Sequence, residues 1–227
     1  MKHILDNPVW HALNTENADL GHISGPAACF SPAVSPFVAL VEPTQENLLD
    51  LYLTVPFDDT VIFVTDTKLD IETPWANVIS IPGYQMLYHG EVPPAIEDEK
   101  TVVLEEQHIP QMLALTKLTN PGPFLPGTID FGHYEGTFSG NELISMAGQR
   151  LHVPGFAEIS AVCTDPGHLG KGYARQLVLR QVRRILSASE TPFLHVKATN
   201  QRAIKVYESL GFKTRTDIFF YALTKKS

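Results

Sequence analysis

Two glycines in the C-terminal third of the chain, Gly170 and Gly172, stand between a predicted strand and a predicted helix. The strand covers residues 159–164 and stops before Pro166, and the helix then follows with apolar residues at the three- and four-residue spacing of one buried face. Glycines at such a junction let the backbone approach a ligand with its N–H groups exposed, at the positive end of the helix dipole. The segment therefore predicts a cradle for a phosphate or pyrophosphate group.

Two familiar classes of glycine loop do not match this segment. A P-loop requires Gly-Lys-Ser/Thr, whereas Gly172 is followed by Tyr173 and Ala174. A dinucleotide-binding fingerprint requires a third glycine where this chain has Arg175. The sequence thus excludes both of these nucleotide sites.

Charge is distributed unequally along the chain. The 227 residues have a net charge of −8, but residues 1–100 hold 15 acidic and 3 basic side chains, and the remainder hold 10 acidic and 14 basic ones. The acidic half disfavours a nucleic-acid partner, and the basic half suits an anionic ligand. The same asymmetry would also serve simply to keep two docked halves soluble.

Other features of the composition narrow the class further. No apolar run reaches the roughly 18 residues that a membrane helix needs, and the N-terminus lacks the apolar centre of a signal peptide. Cys29 and Cys163 are far apart and have no metal-ligand spacing around them. We therefore expect a cytoplasmic protein with reduced cysteines, no metal and no membrane contact.

The predicted elements form two groups, joined by a proline-rich acidic linker at residues 91–100. The first group is a small α+β unit, with helices at residues 7–13 and 45–53 and strands at 36–41, 60–65, 75–81 and 84–89, the last two separated by a turn at Pro82-Gly83. The second group has strands at residues 101–104, 132–138, 143–151, 159–164, 193–198 and 218–223. Its helices lie at residues 109–118, after Gly172, and at 200–210.

Two motifs in the second group match those of a known family. Residues 169–174 correspond to a loop of the form Gln/Arg-x-x-Gly-x-Gly/Ala, with Leu169 in place of the polar first residue. Residues 200–212 correspond to Asn-x-x-Ala-x-x-x-Tyr-x-x-x-Gly-Phe. With this order of elements, the chain resembles the GNAT superfamily of acetyl-CoA-dependent N-acyltransferases. The run from Glu158 to Pro166 is further similar to the branch that contains glycine N-acyltransferase-like proteins.

The resemblance implies an α+β (mixed α/β) fold of the GNAT type. Residues 101–227 would form the catalytic domain, with a central mixed, mostly antiparallel sheet flanked by helices. Residues 1–100 would form a smaller α+β domain, which in that branch is a degenerate relative of the same fold.

The resemblance also implies a set of residues that hold acetyl-CoA. They are Val162, Cys163, Thr164, Leu169, Gly170, Lys171, Gly172, Tyr173, Ala174, Arg175 and Asn200, and Arg202 and His168 are further candidates for phosphate contacts. Backbone amides at residues 162–164 would polarise the thioester carbonyl and pair with the pantetheine arm. Lys171 and Arg175 also suit solvated surface positions, and Asn200 also suits a helix N-cap.

Two side chains are implied to act in catalysis. Tyr207 matches the family position whose hydroxyl protonates the departing sulfur, and Glu158 is the candidate to accept the proton of the amine through water. Their simpler alternatives are a packed aromatic and an ordinary strand carboxylate. Cys163 would permit transfer through a covalent intermediate, but the resembled family transfers the acyl group directly, which favours a packing role.

We therefore expect an N-acetyltransferase that moves an acetyl group from acetyl-CoA to a primary amine. The alternatives are a transferase for longer acyl-CoA donors with an amino-acid acceptor, and a CoA-binding regulatory module without catalysis. The acidic N-terminal half favours a small cationic amine as acceptor. A homodimer is compatible with the sequence.

Overall fold

The computed structural model describes residues 2–56, 60–71, 74–95 and 100–225. Within them lie the helices α1 (Pro8–Asn14), α2 (Gln45–Thr54), α3 (Ile109–Thr119), α4 (Tyr173–Ser187) and α5 (Gln201–Leu210). The strands are β1 (Gly21–Ser24), β2 (Ala27–Phe30), β3 (Phe37–Leu40), β4 (Val61–Thr65), β5 (Asn77–Tyr88), β6 (Thr101–Val103), β7 (Glu135–Ser139), β8 (Glu142–Val153), β9 (Phe156–Thr164), β10 (Thr191–Lys197) and β11 (Phe212–Thr224).

All of these strands belong to one sheet, in the order β1-β2-β3-β4-β11-β5-β10-β9-β8-β7-β6. The pairs β3–β4 and β9–β10 are parallel, and the other neighbours are antiparallel. The expected mixed, mostly antiparallel sheet flanked by helices is confirmed.

Helices pack on both faces of the sheet because adjacent strand residues point to opposite sides. On β10, Phe193 belongs to a core shared with α1 and α3, and its neighbour Leu194 belongs to a core shared with α4 and α5. The amphipathic pattern read in the sequence for α4 is realised by Leu177, Val178, Val182 and Ile185, which are all buried. The two helices that carry the family motifs therefore lie on the same side of the sheet.

The prediction of two strands separated by a turn at Pro82-Gly83 was wrong, because β5 runs continuously through both residues. Pro82 lies just beyond the part of β5 that pairs with β10, which begins at Gly83. Its missing N–H therefore costs no ladder bond on that side. Gly83 is needed because a Cβ there would come within 2.7 Å of the Val196 carbonyl oxygen.

The insertion of β5 joins the two predicted halves of the chain. It lies between β10 and β11, pairing with residues 193–197 of one and residues 212–224 of the other. The division into residues 1–100 and 101–227 stays a prediction, and residues 96–99 of the predicted linker lie outside the described part of the chain. The β1–β2 hairpin had no clear signal in the sequence.

Strands β9 and β10 pair only at their beginnings, through residues 156–158 and 191–193. Beyond that point β10 continues alongside β5, and the rest of β9 has no described strand partner on that side. The two strands therefore open a gap in the middle of the sheet. None of the helices in the described segments is both long and apolar enough to cross a membrane.

Candidate active site

A cleft of about 1000 Å³ occupies the gap between β9 and β10. Residues from both halves of the chain line it, including Phe37, Ile62 and Ile81 from the first hundred residues. The predicted site residues that line it are Val162, Cys163, Thr164, Leu169, Gly170, Gly172, Tyr173, Ala174, Arg175, Asn200 and Tyr207. Glu158 and Lys171 are not among the lining residues; Glu158 is fully buried and Lys171 is exposed to solvent.

The glycine loop has the backbone geometry of an anion cradle. Gly170 and Gly172 have φ values of +78° and +85°, and a Cβ at either position would meet no atom within 4 Å. Such φ values favour glycine, and the open space in front of them leaves room for a ligand. Gly172 is the N-cap of α4 and makes no side-chain cap, so the first N–H groups of this helix are not satisfied by a side chain. The cradle fits a pyrophosphate.

A β-bulge distorts β9 where it borders the cleft. Its register with β8 passes from Met146–Cys163 to Gly148–Ser160, so that Ala161 and Val162 together face one residue of β8. Ala161 adopts a φ of +53°, which is rare for a residue with a side chain. The bulge lies on the stretch that β10 no longer covers, and its backbone polar groups are therefore available to a ligand in the cleft.

Tyr207 presents its hydroxyl to this cleft from α5. The ring packs against Phe212, and the hydroxyl makes no hydrogen bond to any described residue. Burial, with a smaller contribution from Cys163, raises the pKa of Tyr207 to about 12. The hydroxyl is therefore protonated throughout the neutral range and is able to donate.

Cys163 lies close to Tyr207 and is 6% exposed. Burial raises the pKa of its thiol to about 11, although hydrogen bonds from Thr119 and the Met146 backbone act in the opposite direction. A thiol that stays protonated is a weak nucleophile. Its environment therefore favours packing over covalent chemistry.

Asn200 caps α5, since its side-chain oxygen accepts a hydrogen bond from the Ala203 N–H at 3.2 Å. Arg175 and Arg202 are exposed at the cleft rim, and Leu169 is 45% exposed beside them. The rim is thus basic around the glycine loop, with a partly apolar edge at Leu169.

Glu158 is fully buried and is held by two partners. Arg150 donates to its carboxylate from Nε at 2.9 Å and from Nη2, and His195 approaches Glu158 Oε1 with Nδ1 at 2.8 Å. Burial alone would raise the pKa of Glu158, but the charge of Arg150 and the hydrogen bonds from Arg150 and His195 hold it well below its usual range. The carboxylate is therefore ionised and fully engaged.

The tautomer of His195 follows from its hydrogen-bond partners. The Gln85 side-chain oxygen accepts from Arg215 Nε, so the Gln85 amide nitrogen donates to the Leu5 carbonyl and to His195 Nε2, each at 2.9 Å. Since Nε2 is an acceptor, the ring proton is on Nδ1 and points to Glu158. Both ring nitrogens of His195 are thus engaged.

Sequence reasoning missed Arg150, His195 and Gln85. Each lies on a different strand, and only the folded sheet brings them to Glu158. A signal was present at Arg150, a charged residue between Gln149 and Leu151 in a strand most of whose residues are buried. Charged residues in such a position are usually paired when they are buried.

The fold closely matches that of a protein of known structure. The crystal structure of a protein assigned to the GNAT family of acetyltransferases, from Novosphingobium aromaticivorans, is 34% identical and superposes over 100% of both chains with a TM-score of 0.91. The chain belongs to the GNAT family of acetyltransferases. A family model described as FR47-like protein matches residues 134–220 of this GNAT protein, a range that contains the glycine loop and the α5 motif.

Two curated relatives match a shorter segment. Mycothiol acetyltransferase from Mycobacterium marinum is 30% identical in a 91-residue alignment that covers 36% of this chain and 28% of the relative. N-alpha-acetyltransferase RimI from Mycobacterium tuberculosis is 34% identical in an 86-residue alignment that covers 36% of this chain and 52% of the relative. The match thus spans about half or less of these relatives. In the described part of this GNAT protein, no group of three or more His, Cys, Asp or Glu side chains is arranged to hold a metal ion.

Proposed function

We propose that the protein transfers an acetyl group from acetyl-CoA to a primary amine by direct attack. The observation that carries the proposal is a single cleft that joins three parts: a glycine cradle at an uncapped helix N-terminus, an unpaired strand bulge and a free tyrosine hydroxyl. Each part suits one requirement of acyl transfer from a thioester.

The cradle at Gly170 and Gly172 would bind the diphosphate through backbone N–H groups, with Arg175 and Arg202 at the rim available to its charge. Residues 162–164 would pair with the pantetheine arm in the manner of an added strand. Bound acetyl-CoA supplies an acetyl group that is already activated as a thioester. These residues would keep its carbonyl beside the backbone donors of the bulge.

Direct transfer forms a C–N bond and breaks the C–S bond. The neutral amine attacks the carbonyl carbon, backbone N–H groups near Val162 stabilise the oxyanion, and Tyr207 donates its proton to the departing sulfur. The amine gives up one proton, and Tyr207 is reprotonated from solvent. The protonated thiol of Cys163 supports direct transfer over a covalent intermediate.

Glu158 stays a predicted catalytic residue, but its environment supports a positioning role instead. A general base needs a pKa near the working pH, whereas the pKa of Glu158 is strongly lowered and its oxygens are engaged by Arg150 and His195. We infer that Glu158 orients Arg150 and that the ammonium proton of the acceptor passes to solvent.

We also propose, as expected from the sequence, that the protein acts in the cytoplasm.

Initial-rate kinetics test this function. Release of CoA thiol should be measured with a panel of amines while acetyl-CoA is varied against the reactive amine. We expect double-reciprocal lines that intersect, and parallel lines would overturn direct transfer. Propionyl-CoA and benzoyl-CoA in the same assay would measure the choice of acyl chain.

A further inference from the structure

The described residues of the cleft walls carry basic side chains and no acidic ones. Among the described residues that line it, the basic groups are Arg150, His168, Arg175, His195, Lys197 and Arg202, and none of the lining residues is Asp or Glu. A second ammonium on the acceptor would therefore find no carboxylate, and its removal from water would be uncompensated. This composition disfavours the cationic acceptors expected from the acidic N-terminal half.

Four apolar side chains on neighbouring strands form one side of the cleft, here called the apolar wall: Phe37, Ile62, Ile81 and Phe220. Phe37 is the cross-strand partner of Ile62, and Ile81 is the partner of Phe220. Phe220 in turn packs edge-on against His195, with ring centroids 6.0 Å apart. The apolar wall suits an acceptor with an aliphatic or aromatic group.

Arg150 lies against the Phe37 ring of the apolar wall, and two of its three guanidinium nitrogens are hydrogen-bonded to Glu158. Nε and Nη2 donate to Glu158, and the guanidinium carbon lies 4.4 Å from the centre of the Phe37 ring. Nη1 has no hydrogen-bond partner in the described segments, and 12% of the side chain is exposed. Because Glu158 is fully buried, a ligand in the cleft contacts Arg150 and not Glu158.

A carboxylate is the group that best satisfies this arrangement. An arginine that is already held through two of its nitrogens loses little further conformational freedom when its third nitrogen binds a ligand. A carboxylate oxygen also makes a stronger hydrogen bond to that nitrogen, Nη1, than a neutral oxygen of the ligand does.

We propose that the acceptor is an amine that also carries a carboxylate and an apolar group, and that Arg150 selects it by donating from Nη1 to the carboxylate. The apolar wall contacts the remainder of the molecule. This inference rests on the proposed function, since it names the acceptor of the same transfer. Arg150 is thereby the specificity-determining residue of the acceptor side.

Two amines that differ only in this charge test the proposal on the unmodified protein. L-phenylalanine and L-phenylalaninamide are compared by kcat/KM, calculated per concentration of neutral amine because their ammonium pKa values differ. The carboxylate should be preferred by roughly tenfold or more, the worth of one charged hydrogen bond. Equal values, or a preference for the amide, would overturn the proposal.

Two arginine variants locate the effect. Arg150→Met should bring the ratio of the two kcat/KM values close to one, whereas Arg202→Met, at another cleft arginine, should change the KM for acetyl-CoA and leave that ratio intact. An undiminished ratio in a folded Arg150→Met variant would show that another residue reads the carboxylate and would overturn the assignment.

Binding without turnover covers the case in which Arg150→Met does not fold. With CoA present, 3-phenylpropanoate should raise the thermal midpoint of the unmodified protein and compete with the amine, and 3-phenylpropanamide should do neither. If CoA binds and amides react as well as acids, the carboxylate proposal fails while the proposed function stands. If acetyl-CoA does not bind and no amine reacts, the proposed function itself fails.

Discussion

Tyr207 and Glu158 differ in burial and in hydrogen bonding, although the sequence motifs suggested a catalytic role for both. The Tyr207 hydroxyl makes no hydrogen bond to a described residue and opens to the cleft. The Glu158 carboxylate is fully buried and is engaged by Arg150 and His195. A proton donor needs a hydroxyl that is open to the substrate, as in Tyr207. A residue that orients a neighbouring side chain needs a buried and fully hydrogen-bonded group, as in Glu158.

Replacing Tyr207 with Phe should remove the proton donor and preserve the packing of the ring. We expect kcat to fall by roughly 100-fold, the usual worth of one positioned acid, with an unchanged Kd for acetyl-CoA. Tyr52→Phe, on α2 outside the cleft, is the matched control and should retain full activity. Stopped assays and calorimetry measure the two quantities, and an active Tyr207→Phe variant would assign the proton to another donor.

Glu158 should control the acid stability of the protein. Its pKa is lowered on folding, so its contribution is complete above the unfolded value of about 4.3 and is lost as the pH falls below that value. Glu158→Gln should therefore lower the free energy of unfolding at pH 7 by about 3 kcal/mol or more. The difference in the free energy of unfolding between this variant and the parent should become smaller as the pH approaches 3.

Urea titrations at a series of pH values measure this effect. The control is Glu208→Gln, at an exposed position on α5, which should follow the parent at every pH. A constant gap between the parent and Glu158→Gln would show that the ion pair with Arg150 does not set the pKa.

At the scale of elements, the parts of the site that depend on local sequence could be predicted. The β9–loop–α4 unit and the α5 motif were read correctly because glycines, caps and helical periodicity act over a few residues. The course of β5 could not be read, since Pro82-Gly83 is a strong turn signal that only pairing with distant strands overrides. The surroundings of Glu158 were hidden for the same reason, because Arg150 and His195 come from other strands.

The glycine cradle makes a prediction at this scale. Gly172→Trp should weaken acetyl-CoA binding by roughly tenfold or more, because its side chain would occupy the open space beside the loop. The matched control is Gly140→Trp in the β7–β8 turn, where φ is also positive and a Cβ also meets no atom within 4 Å. Both variants should lose similar stability through backbone strain, and only the first should lose binding. If calorimetry gave both variants equal affinities for acetyl-CoA, the loop would not be part of the binding site.

At the scale of the whole molecule, one sheet receives strands from both halves of the chain. The acidic first half does not place a carboxylate in the described lining of the cleft, but it contributes β5 and most of the apolar wall. Net charge alone therefore does not identify the acceptor, because none of the described acidic side chains of the first half lines the cleft. The whole fold class was nevertheless predictable, since the order of elements and two motifs point to it together.

The inserted strand predicts that residues 101–227 do not fold alone. Without β5, both β10 and β11 lose the partner that lies between them, and two unpaired edges favour aggregation. Expressed separately, this fragment should lack a cooperative thermal transition by circular dichroism, and residues 1–100 supplied in trans should restore one. A fragment that melts cooperatively by itself would instead support two independent domains.

The central claim is that the glycine loop, the β9 bulge and Tyr207 together form an acetyl-CoA site. Isothermal titration of acetyl-CoA into the intact protein, with Gly172→Trp in parallel, tests it most directly. The account predicts one site per chain with a micromolar Kd, and a Kd that is roughly tenfold or more higher in the variant. The absence of both binding heat and a thermal shift in the unmodified protein would contradict it.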